Sequence, residues 1–332
     1  MSADLLTLAL DNLTSPVILF FLLGLSAALL RSDLSVPEAV GKALALYLML
    51  AIGFKGGAEL NKHGLDSHVA SARAAGFLLS LLIPVIAFGL LRLATRTGHV
   101  DAAAIAAHYG SVSVVTFVTG TQFLDRLGIG YEGYMVAVVA IMETPAILSG
   151  LLIAKFAGNG GAPTGRGFGV QKKLVREVFL NGSVVLLMGA FVIGWITGEA
   201  GMARMSPFVG NIFQGVLALF LLEMGLVAGT RLRGGTGLEP RLLVFGLVMP
   251  LIGAGFGLAA GLFTGLSLGG TMLLILLAAS ASYIAVPAAM RLALPAANPG
   301  ISLALSLAVT FPFNIIVGMP LYLAAARLIA GP

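Results

Sequence analysis

Two short runs, Gly110-Ser111-Val112-Ser113 and Ala279-Ser280-Ala281-Ser282, each set a pair of serines beside glycine or alanine in the middle of a long apolar segment, about 170 residues apart. A helix at bilayer depth has no reason to gather such residues unless its backbone bends, packs very tightly or unwinds around something polar. Freed N–H groups, the positive end of the half-helix that follows and the serine hydroxyls all favour an anion. Two such places in matching positions predict one shared cavity, lined by Gly110, Ser111, Val112 and Ser113 from the first run and by Ser280, Ala281 and Ser282 from the second. The competing reading makes the serines packing residues, or hydroxyls bonded back to their own helix carbonyls.

A second constellation is built on oxygen. Glu143 stands beside Thr144 and Pro145 deep in an apolar run, where a carboxylate costs a few kcal/mol unless it holds a cation, a proton or a basic partner. With Thr144, Thr310, Asn314 and the carbonyls freed by Pro145 and Pro312 it offers the several oxygen ligands that sodium requires. Glu223, the other deep acid, lacks such neighbours and reads as structural. His108 adjoins the first serine pair and titrates near neutrality, as a proton-linked gate does, although a histidine bonded in a helix interface has the same appearance. Arg291 follows Pro287 and either draws anions toward the cavity or anchors a helix end by snorkelling.

These residues must be carried by membrane helices. Of 332 residues 58% are hydrophobic and 10% charged, and the mean hydropathy is +1.03, whereas about a quarter of a soluble domain is charged. No cysteine is present, which excludes disulfides, thiolate metal sites and cysteine nucleophiles, and the four histidines lack metal-ligand spacing. No intramembrane aspartate pair, His-Glu metal motif or serine with a base appears, so no enzyme and no cofactor is expected. The pI near 9.7 reflects basic membrane flanks, not nucleic-acid binding. The N-terminus lacks a basic n-region, so the first apolar run is expected to remain a helix.

A hydrocarbon core of about 30 Å takes roughly 20 helical residues. Apolar runs bounded by charges and Gly/Pro clusters predict about ten spans: 16–30, 37–54, 74–91, 102–123, 133–154, 179–197, 211–228, 241–264, 270–293 and 301–325. The distribution of Lys and Arg places both termini outside. A basic, Gly-rich linker, 158–176, separates two groups of five spans, 1–157 and 177–332. Five is odd, so the second group must insert upside down. Leu82-Ile83-Pro84 matches Val248-Met249-Pro250, Gly53 to Gly57 matches Gly225 to Gly229, and Met142-Glu143-Thr144-Pro145 matches Val309-Thr310-Phe311-Pro312, all in the same order as the serines. The expected fold is an all-α polytopic membrane protein, an inverted five-plus-five repeat with broken fourth and ninth helices.

The run from Ala278 to Arg291, continued by Leu294-Pro295-Ala296-Ala297-Asn298-Pro299, resembles the ninth-span signature of the sodium-dependent bicarbonate transporter family known from cyanobacteria. Met142-Glu143-Thr144-Pro145-Ala146 and Gly53-Phe54-Lys55-Gly56-Gly57 resemble it too, and the similarity runs from Ser15-Pro16 to Gly318-Met319-Pro320. The resemblance implies a homotrimer in a bacterial inner membrane. Its protomer would have a gate domain of spans one, two, six and seven and a core domain of spans three, four, five, eight, nine and ten, the core carrying bicarbonate by an elevator-like movement with sodium symport. It puts the anion between the two serine runs and Glu143 in the place of a fifth-span acid. Tyr283 stands where the cyanobacterial branch has an acidic residue, and the central loop is short. Cyanobacterial members are inhibited from the inner face by a small nucleotide-binding protein of the PII type, so a regulator of that kind is a candidate partner. Alternatives are a sodium- or proton-coupled carrier of another small organic anion and, in a different class, a channel or a structural membrane scaffold.

Overall fold

The structure, a computed structural model, describes residues 10, 12–63, 68–157, 182–234, 238–283, 286–287, 290 and 294–330. The basic linker at 158–176 and Arg291 lie outside these residues, as does the side chain of Thr144. The described secondary structure is all helical: α1 Pro16–Leu29, α2 Glu38–His63, α3 His68–Ala94, α4 His99–Gly110, α5 Val114–Arg126, α6 Met135–Ala157, α7 Gly182–Ser206, α8 Phe213–Arg233, α9 Pro240–Thr264 and α10 Leu268–Ala278. A π-helical turn, Pro207–Asn211, joins α7 to α8. The final helical run alternates registers: α-helical Pro299–Leu303, Phe311–Phe313 and Met319–Ala330 flank π-helical Ala304–Thr310 and Asn314–Gly318. Among the described residues, seven helices are long and apolar enough to cross a membrane, and α1 and α10 are shorter apolar helices.

Several limits follow directly from local chemistry. Ser15 caps α1, its hydroxyl accepting from the Ile18 N–H, with Pro16 in the first turn, where its missing N–H costs nothing. Gly265 closes α9 in the left-handed region at φ 67°. α2 and α7 run furthest beyond the ends expected from hydropathy. α2 continues to His63, with Lys55 over the Phe213 ring, 4.4 Å from its centroid. α7 continues to Ser206 through a kink at Gly198, whose φ of 54° suits glycine.

Backbone proximity organises the packing. α2 lies against α7: a Cβ at Gly53 would strike the Leu187 carbonyl, one at Gly57 the Phe191 carbonyl and one at Gly194 the Phe54 carbonyl. α1 lies against α8 in the same manner, with Gly24 on the Leu222 carbonyl and Gly225 on the Phe21 carbonyl. Small residues at such contacts let membrane helices gain dispersion energy that lipid tails do not offer. α3 packs on α4 and α6, and α9 on α10. In the middle, every residue from Ala102 to Leu124 is buried, as is every residue from Gly269 to Tyr283, whereas Leu93, Ile196 and Phe263 point outward. The two serine runs therefore sit in the longest fully buried stretches among the described residues.

Replacing Gly225 by leucine forces α1 and α8 apart at a contact with no space. The expected result is a loss of about 3 kcal/mol or more, read as a lowered Tm and poor yield of folded protein. Gly89→Ala, where nothing lies within 4 Å of the new methyl, serves as the control that leaves Tm in place.

Candidate functional site

α4 stops at Gly110, which packs against the Pro84 ring with no space for a Cβ. Ser111 and Ser113 are extended and, with Val112 between them, separate α4 from α5, which starts at Val114. Ser113 is the N-cap of α5, its hydroxyl accepting from the Thr116 N–H at 3.1 Å. The second run repeats this arrangement. α10 ends at Ala278, Gly253 of α9 lies on the Ala278 carbonyl, and the Ser282 hydroxyl accepts from the Val286 N–H at 3.4 Å.

The two breaks touch each other. The Ser282 N–H donates to the His108 carbonyl at 2.7 Å, and the Ser113 N–H donates to the Ser280 hydroxyl at 3.1 Å. Residue numbers rise on one side of this crossing as they fall on the other, so the two segments pass antiparallel. Backbone groups that would be orphaned in an apolar interior thus satisfy one another.

Three side-chain atoms near the crossing stay buried without a hydrogen-bond partner: the Ser111 hydroxyl, the Tyr283 hydroxyl and Nε2 of His108. Nδ1 of His108 lies 2.8 Å from the Ala104 carbonyl and must donate to it, which leaves Nε2 as a bare acceptor. The Tyr283 hydroxyl faces Ser113 without a hydrogen bond of good geometry, and its ring meets Phe311 edge-on at 5.6 Å. Unpartnered polar atoms inside a protein are costly, so their concentration around one crossing marks it as a place for a polar guest.

The oxygen constellation divides. Thr310 and Asn314 brace the crossing. The Thr310 hydroxyl donates to the Gly246 carbonyl at 2.8 Å and therefore accepts from the Tyr109 hydroxyl at 2.6 Å. Nδ2 of Asn314 donates to the Ala279 carbonyl at 2.9 Å, and its Oδ1 accepts from the Tyr322 hydroxyl at 2.8 Å. Glu143, 5% exposed, sits on α6. The Ser80 hydroxyl donates to the Met142 carbonyl, next to Glu143, and the Ser80 carbonyl lies beside Gly110. The Ser149 hydroxyl donates to the Leu81 carbonyl at 3.0 Å and Gly150 packs on Ala107, so α6 runs beside both α3 and α4. The hydrogen bonds of Thr310 and Asn314 go to residues other than Glu143.

Four residues of this network, Ser80, Tyr109, Gly246 and Tyr322, carried no signal in the serine pattern. Two of them were accessible from the prolines. Pro84 and Pro250 have no N–H, so the carbonyls four residues earlier, those of Ser80 and Gly246, lose their helical donors. Thr310 supplies a replacement for Gly246.

A family described as the Na+-dependent bicarbonate transporter superfamily matches residues 16–327, nearly the whole chain. No curated protein matches it.

Thr310→Val strands the Gly246 carbonyl and the Tyr109 hydroxyl together and is expected to cost about 1–3 kcal/mol, read as a fall in Tm. Ser111→Ala removes a hydroxyl with no partner inside the protein and should stay within about 0.5 kcal/mol of the parent. Equal losses from both would contradict the division between bracing and receiving groups.

Proposed function

We propose that this chain, which belongs to the Na+-dependent bicarbonate transporter superfamily, imports bicarbonate with sodium by moving a core domain past a gate domain. It is a transporter and not an enzyme, and sodium is the coupling ion that its family implies. The single observation that carries the reading is the antiparallel crossing of two helix breaks, each capped by its own serine, with buried polar atoms left without partners around it.

An anion of bicarbonate's size held between Ser111, Val112 and Ser113 on one side and Ser280, Ala281 and Ser282 on the other meets hydroxyl donors and the positive end of α5. The free Ser111 and Tyr283 hydroxyls add donors that the fold does not use itself. Gly110 belongs to the site by letting the backbone turn against Pro84. Glu143 is the coupling-ion ligand in this reading, because a carboxylate buried in an apolar interior offsets its desolvation by holding a cation. Thr310 and Asn314, one turn apart on the last helical run, contribute by holding the second break in position.

The ten-span inverted repeat draws support from paired contacts. α2 on α7 and α1 on α8 use glycines at matched places, Gly53 and Gly57 in one pair and Gly225 and Gly229 in the other. Pro84 on Gly110 has its counterpart where the Ala278 carbonyl meets Gly253, three residues beyond Pro250. In this division α1, α2, α7 and α8 form the gate, and α3 to α6, α9, α10 and the last helical run form the core. A homotrimer joined through the gates, an inner-membrane location with both termini outside and a PII-like regulator on the inner face remain parts of the proposal that rest on the family.

Labelled bicarbonate uptake into proteoliposomes, with and without an inward sodium gradient at a pH where bicarbonate outweighs carbon dioxide, tests the reading. Uptake that rises with the gradient is expected, and folded protein without it would assign another anion or ion. Glu143→Ala should raise the sodium concentration for half-maximal uptake by roughly tenfold or more, the equivalent of about 1.4 kcal/mol of lost ion binding. An unchanged sodium dependence removes Glu143 from the ion site.

A further inference from the structure

The last turn of α5 gathers contacts of unusual mixture for a membrane protein, and each joins a helix of the proposed gate to one of the proposed core. Nε2 of Gln214, at the start of α8, donates to Oε1 of Gln122 at 2.9 Å. Asn12, buried just ahead of α1, donates to the Ile315 carbonyl at 2.5 Å and accepts from the Arg126 guanidinium at 3.1 Å. Lys55 of α2 faces Asp125 across a cavity of about 350 Å3 that Glu59, Gln122, Tyr131 and Phe213 also line. Asp125 accepts in addition from Nε2 of Gln122 at 3.1 Å.

The backbones come equally close at this end. A Cβ on Gly56 of α2 would lie 2.9 Å from the Gly133 carbonyl, and one on Gly133, just before α6, would lie 2.7 Å from the Gly56 carbonyl. The Asn12 contact also has a backbone cause. Ile315 lies in π register, in which its carbonyl would bond to the N–H of residue 320, and that residue is a proline. Asn12 fills the vacancy from the other body. Where the same two groups of helices meet deeper in the molecule, the described contact is apolar, as in Phe21 edge-on to Phe311 at 5.6 Å.

These two kinds of contact differ in how easily they come apart. Glycine interlocks within the gate are dry and backbone-deep, so separating them creates voids. In the seam Lys55, Asp125 and Gln214 are partly or fully open to solvent while Asn12 and Gln122 are buried, and the amides and charges that reach solvent exchange their partners for water at small net cost. A seam of the second kind holds one arrangement without trapping it.

We propose that this seam is a latch that opens and closes once in each transport cycle, which makes Asn12, Lys55, Gln122, Asp125 and Gln214 positioning residues for transport although none touches the anion. The inference rests on the two-body reading above. It assigns the arrangement seen here to the latched position of the core.

The chain has no cysteine, so a pair introduced as Gln122→Cys with Gln214→Cys reports on the seam alone. Oxidation should remove both free thiols, counted by maleimide labelling, and abolish bicarbonate uptake; a reductant should restore it, while each single variant is insensitive to the oxidant. Oxidised protein that carries no free thiol and still transports at the reduced rate overturns the latch. If neither the parent nor the reduced pair takes up bicarbonate, the substrate reading has failed and the latch is judged on disulfide yield. Adding Asp125→Asn or Asn12→Ala to the cysteine pair should lower the yield at fixed oxidant exposure, and an unchanged yield in both overturns the latch whatever the substrate.

Discussion

The structure depends on one constraint: a helix broken in an apolar interior leaves N–H and carbonyl groups that must find partners, because neither lipid nor a dry core supplies any. Two breaks solve this jointly. By crossing antiparallel, the segments at His108 to Ser113 and at Ser280 to Ser282 exchange backbone and hydroxyl bonds, and the Ser113 cap then starts α5. Each break thus satisfies backbone groups of the other, and both lie in fully buried stretches of the described residues. A site made in this way is rigid in its backbone and still retains donors, since the bonds that close it do not use the hydroxyls of Ser111 and Tyr283.

Proline extends the same constraint outward. Pro84 and Pro250 sit inside the helices beside the breaks and deprive one carbonyl each of its helical donor, and one of these carbonyls becomes an attachment point. Thr310 takes the Gly246 carbonyl and the Tyr109 hydroxyl, and Asn314, in the next π-helical turn of the last run, takes the Ala279 carbonyl at the second break. At the far end, Asn12 takes the carbonyl that Pro320 leaves open. Helix irregularity in this protein is therefore a source of specific long-range contacts. Regular, glycine-lined contacts do the opposite work: α1 on α8 and α2 on α7 form units that have no cause to rearrange. Membership of a sodium-dependent transporter superfamily fits a molecule with this contrast between interlocked pairs and a polar seam.

Much was legible in the sequence because membrane helices are written in hydropathy. α1 at Pro16–Leu29 and α9 at Pro240–Thr264 begin where Ser15-Pro16 and Glu239-Pro240 announce a helix start, and end within a residue of the apolar run. The first break was visible as glycine and serine in a run otherwise fit to span, and α4 does stop at Gly110. The ends of α2 and α7 were not, because both helices continue past the apolar run into polar and charged residues. Lys55, inside α2, rests on the ring of Phe213, which the chain places 158 positions away (213 − 55).

The grouping of the oxygen ligands was likewise beyond the sequence. Spacing set Glu143, Thr310 and Asn314 in one list, and nothing in that list says that Thr310 and Asn314 spend their hydrogen bonds on Gly246, Tyr109, Ala279 and Tyr322. Composition and periodicity determined that this chain is an all-helical membrane protein with broken helices rich in serine, since desolvation acts on each residue type regardless of its neighbours. Which buried groups are satisfied and which are left to receive a guest was decided by tertiary structure alone, because a hydrogen bond is fixed by the positions of two atoms, and only packing brings residue 108 to residue 282.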